Sequence, residues 1–207
     1  MRKILLLGVF FVFIIFMFNA MAHVPYLERR DFNEKRPYIV RKFVEQSIAV
    51  YSWIEDDGKD IDVYKLDLKR NKARMYVEVI VPAVDEYYFE FVPWFALVGP
   101  DLPNPGVELP FEIPEGYGAI VKENVEPGSE REKFYEPFGG KSYYKGPILD
   151  IDVETPGEYY AYFWDPYETG GDYVAVIGRV EFFGLTDILR ALIITPMIRQ
   201  NMELHIP

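Results

Sequence analysis

The sequence predicts a mainly β protein, an antiparallel β-sandwich that ends in an amphipathic helix. Hydrophobic residues alternate with polar ones over short stretches, as they do in half-buried strands. Turn-forming residues separate these stretches every ten residues or so, which is typical of sandwiches. Beyond position 184 the apolar residues follow helical spacing instead, so the last segment is predicted to be a helix.

The N-terminal segment has the three parts of a secretory signal. Arg2 and Lys3 form a basic head, Ile4 to Phe18 carries no charge, and Ala20-Met21-Ala22 offers small residues at the spacing that signal peptidases accept. We expect cleavage after Ala22. The alternative is an uncleaved membrane anchor, because Ile4 to Ala22 is just long enough to span a bilayer. Both alternatives place the folded part outside the cytoplasmic membrane, either secreted or anchored to its outer face.

Six stretches of residues 23–183 are predicted to be strands, and turn-forming residues such as "EDDGKD" separate them. They are "SIAVYSWI" (47–54), "IDVYKLDL" (61–68), "MYVEVIV" (75–81), "PWFALVGP" (93–100), "GEYYAYFW" (157–164) and "DYVAVIG" (172–178). In the third, the side chains that share one face are expected to be buried: Met75, Val77, Val79 and Val81. The last two stretches are expected to form a hairpin across Gly170 and Gly171.

Residues 100–146 break this pattern. Five prolines lie in "PDLPNPGVELPFEIPEG", too many for central strands, and the following aromatic residues argue against disorder. We expect a long ordered loop over one face of the sandwich, held by Phe111 and Tyr117. Long loops of this kind within compact domains are often functional.

The tail, residues 184–207, is expected to form a helix that packs on the sandwich. Thr186 is the expected N-cap, Asp187 favours the positive end of the helix, and Pro196 is expected to end or kink it. Its apolar stripe consists of Leu185, Ile188, Leu189, Leu192 and Ile193. The alternative is a helix lying on the membrane surface, aided by Arg190 and Arg199.

Composition limits the function classes. The chain has no cysteine, so disulfides and thiolate metal sites are excluded. Only two of the 22 basic residues precede position 23, whereas all 33 acidic residues follow it, so residues 23–207 carry a net charge near −13. Such a charge repels phosphate backbones and argues against nucleic-acid binding. No nucleophile elbow, Walker motif or dinucleotide fingerprint occurs, which favours a non-catalytic protein without establishing it.

Four stretches, "DIDVYKLDL" (60–68), "MYVEVIV" (75–81), "PGEYYAYFW" (156–164) and "GGDYVAVIG" (170–178), resemble the bacterial pre-peptidase C-terminal (PPC) domain family. The resemblance implies a small β-sandwich of jelly-roll type. Members of that family are appended to secreted enzymes, usually without catalysis of their own. The chain departs from the family in the proline-rich segment after Gly99, in its helical tail and in lacking an attached enzyme.

Two sets of residues are candidate metal ligands. If cleavage exposes His23, its ring and free amine could join His205 in a copper site that resembles a histidine brace. The alternative is an ordinary histidine beside the cleavage point. "EDDGKDID" supplies Glu55, Asp56, Asp57, Asp60 and Asp62, hard oxygen ligands suited to calcium, although we expect a solvated acidic turn instead. The loop acids Asp165, Glu168 and Asp172 are a further set of the same kind.

The aromatic residues of one predicted strand bear on what the domain contacts. In "EYYAYFW", Tyr160, Tyr162 and Trp164 face one way, while Tyr159 and Phe163 face the other. One face must be core, and the second is either covered by the loop or the tail helix, as we expect, or free to stack on sugars. The sequence thus predicts an extracytoplasmic β-sandwich that binds an unknown protein or carbohydrate at the cell surface. The alternative is the copper-binding protein that uses His23 and His205.

Overall fold

The computed structural model describes residues 23–40 and 43–206, which form eleven strands and two helices. The predicted signal or anchor, residues 1–22, lies outside the described residues. The strands are β1 (Val24–Leu27), β2 (Tyr38–Val40), β3 (Ile48–Ile54), β4 (Ile61–Leu68), β5 (Ala73–Pro82), β6 (Trp94–Pro100), β7 (Tyr117–Lys122), β8 (Lys133–Glu136), β9 (Lys141–Val153), β10 (Gly157–Trp164) and β11 (Gly171–Ile177). The helices are α1 (Asp85–Tyr88) and α2 (Leu185–Arg199).

Two sheets pack face to face, which confirms the predicted mainly β sandwich with a C-terminal helix. One sheet has the order β1-β3-β11-β5-β9-β8 and the other the order β2-β4-β10-β6-β7. Their inner faces share one hydrophobic core, in which Phe163 of one sheet stacks on Tyr173 of the other at 5.3 Å. The predicted buried face of β5 is confirmed, since Met75, Val77, Val79 and Val81 are all fully buried.

The edge strands depart from the predicted antiparallel arrangement. β1 pairs with β3 and β2 pairs with β4 in parallel, while every other pairing between the described strands is antiparallel. Parallel neighbours need a crossover of a dozen residues or more. The chain supplies it by running from β1 across to β2 in the opposite sheet before it returns to β3.

The predicted hairpin between 157–164 and 172–178 is wrong. β10 lies between β4 and β6 in the five-stranded sheet, whereas β11 lies between β3 and β5 in the six-stranded sheet. The loop through Gly170 and Gly171 therefore crosses from one sheet to the other. Both strands are apolar on the inner face, so hydrophobic alternation alone does not distinguish a hairpin from such a crossover.

The segment 100–146 is only partly the predicted loop. It contains β7, β8 and the start of β9, so the prediction fails for its second half. The irregular first half covers the outer face of the five-stranded sheet, where Phe111 stacks on Tyr162 with 3.9 Å between ring centroids. Leu109, Phe111 and Ile113 complete a second apolar cluster there with Trp164. The outer aromatic face of β10 is thus covered, as expected, and offers no open platform for sugars.

Helix α2 packs on the sandwich, but through a different face from the predicted stripe. Its buried residues are Asp187, Ala191, Ile194 and Ile198, whereas Leu185, Leu189, Leu192 and Ile193 are exposed. Gly184 is the N-cap instead of Thr186, and its backbone N–H donates to the Asp187 carboxylate at 3.0 Å. Pro196 lies inside the helix without ending it. Among the described residues, no helix has both the length and the apolar character needed to cross a bilayer.

Candidate functional site

Three carboxylates converge between the two sheets at the edge formed by β1 and β2. They belong to Glu28, Asp31 and Asp62, and one oxygen of each lies within 4.8 Å of the others. Glu28 follows β1 and extends its ladder, because its N–H donates to the Tyr51 carbonyl at 2.8 Å. Asp31 lies in the crossing segment, which is held against β4 by a 2.5 Å hydrogen bond from Val63 N–H to the Phe32 carbonyl. Asp62 projects inward from β4 and is 1% exposed.

A chain of hydroxyl groups supports this carboxyl centre from inside the sandwich. The Tyr173 hydroxyl donates to Oδ2 of Asp62 at 2.6 Å and lies 3.0 Å from the Tyr64 hydroxyl. The Tyr64 hydroxyl in turn lies 2.6 Å from Oγ of Ser52. These residues come from β11, β4 and β3, so both sheets fix the position of Asp62.

The centre leaves buried oxygens without partners. Glu28 is only 8% exposed, yet neither of its carboxylate oxygens has a hydrogen-bond partner, and Oδ1 of Asp62 also lacks one. No lysine, arginine or histidine of residues 23–40 and 43–206 forms an ion pair with Glu28 or Asp62. Natively folded proteins seldom bury carboxylates in this way, because an unpaired buried charge is costly.

Burial therefore perturbs the ionisation of the centre. Desolvation raises the pKa of Glu28 to about 8, although the nearby Ser52 hydroxyl and Trp53 backbone N–H act to lower this pKa. The negative charges of Asp60 and Asp31 add to the increase. The pKa of Asp62 is raised well above its ordinary value by burial, and next by the charge of Glu28. The Tyr173 hydroxyl opposes this increase only in part. Perturbed acids of this kind concentrate at functional sites.

Two clefts open beside the centre, and Asp31 is the residue of the centre that lines both. The larger, about 780 Å³ in volume, runs between the crossing segment and α2, and its lining includes four arginines: Arg29, Arg30, Arg36 and Arg190. The smaller, about 200 Å³, is lined by Asp31, Trp53 and the acids of the following turn, Glu55, Asp57 and Asp60. The smaller cleft is therefore mainly acidic, with Lys59 as its one basic residue, whereas the larger cleft is mainly basic.

The predicted calcium ligands do not form the site as a group. Asp56 and Asp57 are exposed, and Asp57 accepts the Lys59 backbone N–H at 2.9 Å, as in an ordinary turn. The carboxylate of Asp60 accepts the Glu55 backbone N–H at 2.8 Å. Only Asp62 belongs to the cluster, together with Glu28 and Asp31, which the sequence reasoning missed. A signal was available, since Asp62 has the same parity as Tyr64, Leu66 and Leu68 on the inward face of β4.

The acids of the loop after β10 also have structural roles. Asp165 is buried and accepts backbone N–H groups from Tyr167, Thr169 and Gly170, which fixes the turn. Asp172 holds the C-terminal tail, because its oxygens accept the Tyr88 hydroxyl and the His205 backbone N–H. These two carboxylates are therefore occupied by protein groups and do not provide the predicted further calcium site.

The structure does not bring the two histidines together. The His23 ring contacts the Ser47 hydroxyl at the start of β3, and burial lowers its pKa to about 4. The His205 ring lies 4.0 Å from the Trp53 ring near the end of β3 and 2.6 Å from the Asp172 carboxylate. Ser47 and Trp53 are six residues apart on an extended strand, a separation of about 20 Å. The described chain therefore does not bring together the two imidazoles that the predicted copper site requires, because metal–nitrogen bonds are only about 2 Å long.

An apolar surface is formed by exposed side chains of α2 and of the loops that meet the start of this helix at Gln46. It comprises the exposed face of α2 (Leu185, Leu189, Leu192 and Ile193) together with Phe43, Val180 and Phe182. Phe43 and Leu185 are 77% and 74% exposed. Gln46 and Ser47 connect the loop residues, since they bond to the backbone carbonyls of Phe43, Phe182 and Val180. Val24 N–H donates to the Ser47 carbonyl at 3.1 Å, so the chain enters β1 beside this surface.

Comparisons with known proteins do not identify a family. No protein-family model matches the chain, and no curated protein is significantly similar to it. The functional argument therefore depends on the geometry described above.

Proposed function

We propose that this chain is an extracytoplasmic, non-catalytic β-sandwich that rests on the outer surface of a membrane through its apolar surface. The observation that carries the proposal is the exposed apolar face of α2, next to the point where the chain enters β1. Exposed apolar patches of this kind usually mark contact sites. The occupant proposed is the lipid bilayer.

The two faces of α2 support this proposal. At about 100° per residue, Leu185, Leu189, Leu192 and Ile193 lie on the side opposite Ala191, Ile194 and Ile198. One face packs against β1, and the other has no partner among the described residues. A helix that is apolar on both faces is expected to be covered on both. Because α2 lies on the outside of the sandwich, its second face is free to contact an apolar environment beyond the described residues.

The N-terminal sequence favours lipid over other occupants. Residues 4–18 carry no charge, follow Arg2 and Lys3, and continue into the described chain at His23. Whether this segment is removed as a signal or retained as an anchor, it directs the fold to the outer side of a membrane. The two arginines of α2 do not face the lipid freely, since Arg190 stacks on Tyr26 and Arg199 donates to the carbonyls of Pro137 and Phe138. Binding is therefore proposed to be mainly hydrophobic.

Partition onto vesicles tests the proposal. A chain beginning at His23 contains the complete sandwich core and is mixed with phosphatidylcholine vesicles, because its net charge near −13 would oppose anionic lipids. Leu189→Glu combined with Ile193→Glu is expected to weaken flotation with the vesicles at least about tenfold, from the loss of buried apolar area. The matched control is Val107→Glu with Val125→Glu, which alters two exposed valines away from α2 and should not change partition.

Two results would overturn the proposal. Equal partition of both double variants would remove α2 from the contact. If the protein instead forms a dimer that the Leu189 and Ile193 changes disrupt, and does not float with vesicles, a second copy of the chain is the occupant. Analytical ultracentrifugation of the same samples distinguishes the latter outcome.

A further inference from the structure

We propose that Glu28, Asp31 and Asp62 bind a divalent cation, with calcium as the ion that fits best. This inference is independent of membrane contact. One oxygen of each carboxylate lies within 4.8 Å of the other two. Oxygen ligands lie about 2.3–2.6 Å from calcium, so two ligands of one ion are at most about 5 Å apart. The three side chains therefore have the spacing of a shared coordination shell.

The unpartnered oxygens show that the site requires something more than protein contacts. Glu28 is more than nine-tenths buried, and both its oxygens are unpartnered beside Asp31 and Asp62. Asp62 is still more buried, and the Tyr173 hydroxyl satisfies only its Oδ2 atom. A proton neutralises only the carboxyl group that binds it. The remaining carboxylate oxygens of the centre would still lack hydrogen-bond donors. A cation at the common point satisfies oxygens of all three residues and compensates their charge.

The chemistry of the donors favours a hard cation. All three ligands are carboxylates, which suit calcium and magnesium rather than copper or zinc. Calcium tolerates irregular geometry and six to eight ligands, which agrees with ligands from a strand end, a crossing segment and a strand interior. Asp31 is exposed at the mouth of both clefts, so it can contact an arriving ion while water completes the shell.

The position of the centre gives the ion a structural consequence. Glu28 continues the ladder of the six-stranded sheet, Asp62 lies in the five-stranded sheet, and Asp31 lies in the segment that joins them. A bound ion would fasten the two sheets at the edge where the parallel pairs occur. Calcium should therefore raise the stability of the whole sandwich, since it binds only the folded arrangement.

The test is a calcium titration of the full chain in a non-ionic detergent after removal of metal with EGTA. Calorimetric titration at pH 7.5 is expected to give one calcium site. At a calcium concentration about 100-fold above the dissociation constant, the melting temperature should rise by about 5–10 °C. Glu28→Gln and, separately, Asp31→Asn should each weaken calcium binding at least about tenfold and remove most of that rise.

The controls separate a site from general acidity. Glu115→Gln removes one exposed acidic charge elsewhere and should bind calcium as the unchanged protein does. Glu28→Gln retains the shape of the protonated acid, so it is expected to fold, and Asp31→Asn alters an exposed residue that folding does not require. Absence of saturable calcium binding, or equal binding by Glu28→Gln and Glu115→Gln, would overturn the proposal and leave a proton-sharing carboxyl centre. Equal stabilisation by magnesium would retain the site but contradict its assignment to calcium.

Discussion

Glu28 and Asp62 are acids that the fold places where ionisation is unfavourable. The pKa of Glu28 is raised to about 8 and that of Asp62 is raised as well, in both cases mainly because burial removes the carboxylate from water. Such groups lower the stability of the protein in their charged form, so their retention in a core usually has a functional reason. The energetic cost of burying these two carboxylates identifies the carboxyl centre more clearly than any spacing in the sequence.

The raised pKa of Glu28 predicts how stability depends on pH when metal is removed. The ordinary pKa of the residue is 4.5, so between about pH 4.5 and pH 8 the folded chain holds a proton that the unfolded chain has released. The free energy of unfolding should therefore fall as the pH rises through this window. Urea unfolding in EGTA at pH 5, 6.5 and 8 measures the fall.

Two variants show whether Glu28 causes this fall in stability with rising pH. Glu28→Gln cannot ionise, so its stability should fall less between pH 5 and pH 8, whereas Glu115→Gln should behave as the unchanged chain. A steeper decline in Glu28→Gln would contradict the assignment of this pH dependence to Glu28.

At the scale of the element, α2 shows that an apolar stripe does not by itself indicate which face is buried. Isoleucine occurs on both sides of this helix and leucine on the exposed side, and the side that includes Ala191 packs against the sheet. Ala191 lies at the contact and allows close approach to β1, while the Asp187 carboxylate accepts the Gly184 N–H and lies 3.4 Å from the Gln46 amide nitrogen. The leucine side chains of α2 remain exposed.

A pair of isoleucine substitutions tests which face packs. Ile198 is fully buried and Ile193 is 65% exposed on the same helix. Ile198→Ala should lower the free energy of unfolding by about 2–5 kcal/mol, because it removes buried methyl groups and leaves a cavity. Ile193→Ala should change it by less than about 0.5 kcal/mol. Chemical denaturation of both variants gives the comparison, and a larger loss in Ile193→Ala would reverse the faces.

At the scale of the whole molecule, stability depends on the core shared by the two sheets. β5 lies in the middle of the six-stranded sheet, and its inward side chains contact a core drawn from both sheets. The tail closes the structure from outside, since His205 is held by Asp172 and Glu203 pairs with Lys141. The carboxyl centre adjoins this core through Tyr173 and Tyr64, whereas the apolar surface consists of exposed side chains outside it.

Val79→Asp tests the core directly. Val79 is fully buried, so an aspartate there would place an unpaired charge in the core at a cost of several kcal/mol. A loss of that size is comparable to the total stability of an ordinary domain, and the variant is expected to be unfolded by circular dichroism. Ile148→Asp alters a 44% exposed residue of β9 and should remain folded. A folded Val79→Asp variant of unchanged stability would show that β5 buries its other face.

The sequence by itself determined the mainly β class, the buried face of β5 and the presence of a terminal helix. Each of these follows from periodicity, which reports the direction of successive side chains along one segment. The sequence also predicted that the outer aromatic face of β10 is covered. Large exposed aromatic surfaces are rare, and the proline-rich segment was available to cover this one. The signal-like pattern of residues 1–22 predicts an extracytoplasmic location, and this location remains a prediction.

Only the tertiary structure decided which strands pair, which face of α2 packs and which acids meet. Periodicity carries no information on partners, so the hairpin of 157–164 with 172–178 could not be distinguished from a crossover between sheets. Glu28 and Asp62 are 34 positions apart in the chain, and they meet because the segment between β1 and β2 crosses the edge of the sandwich. His23 and His205 are kept apart by the fold as well, since their rings contact Ser47 and Trp53 at opposite ends of β3.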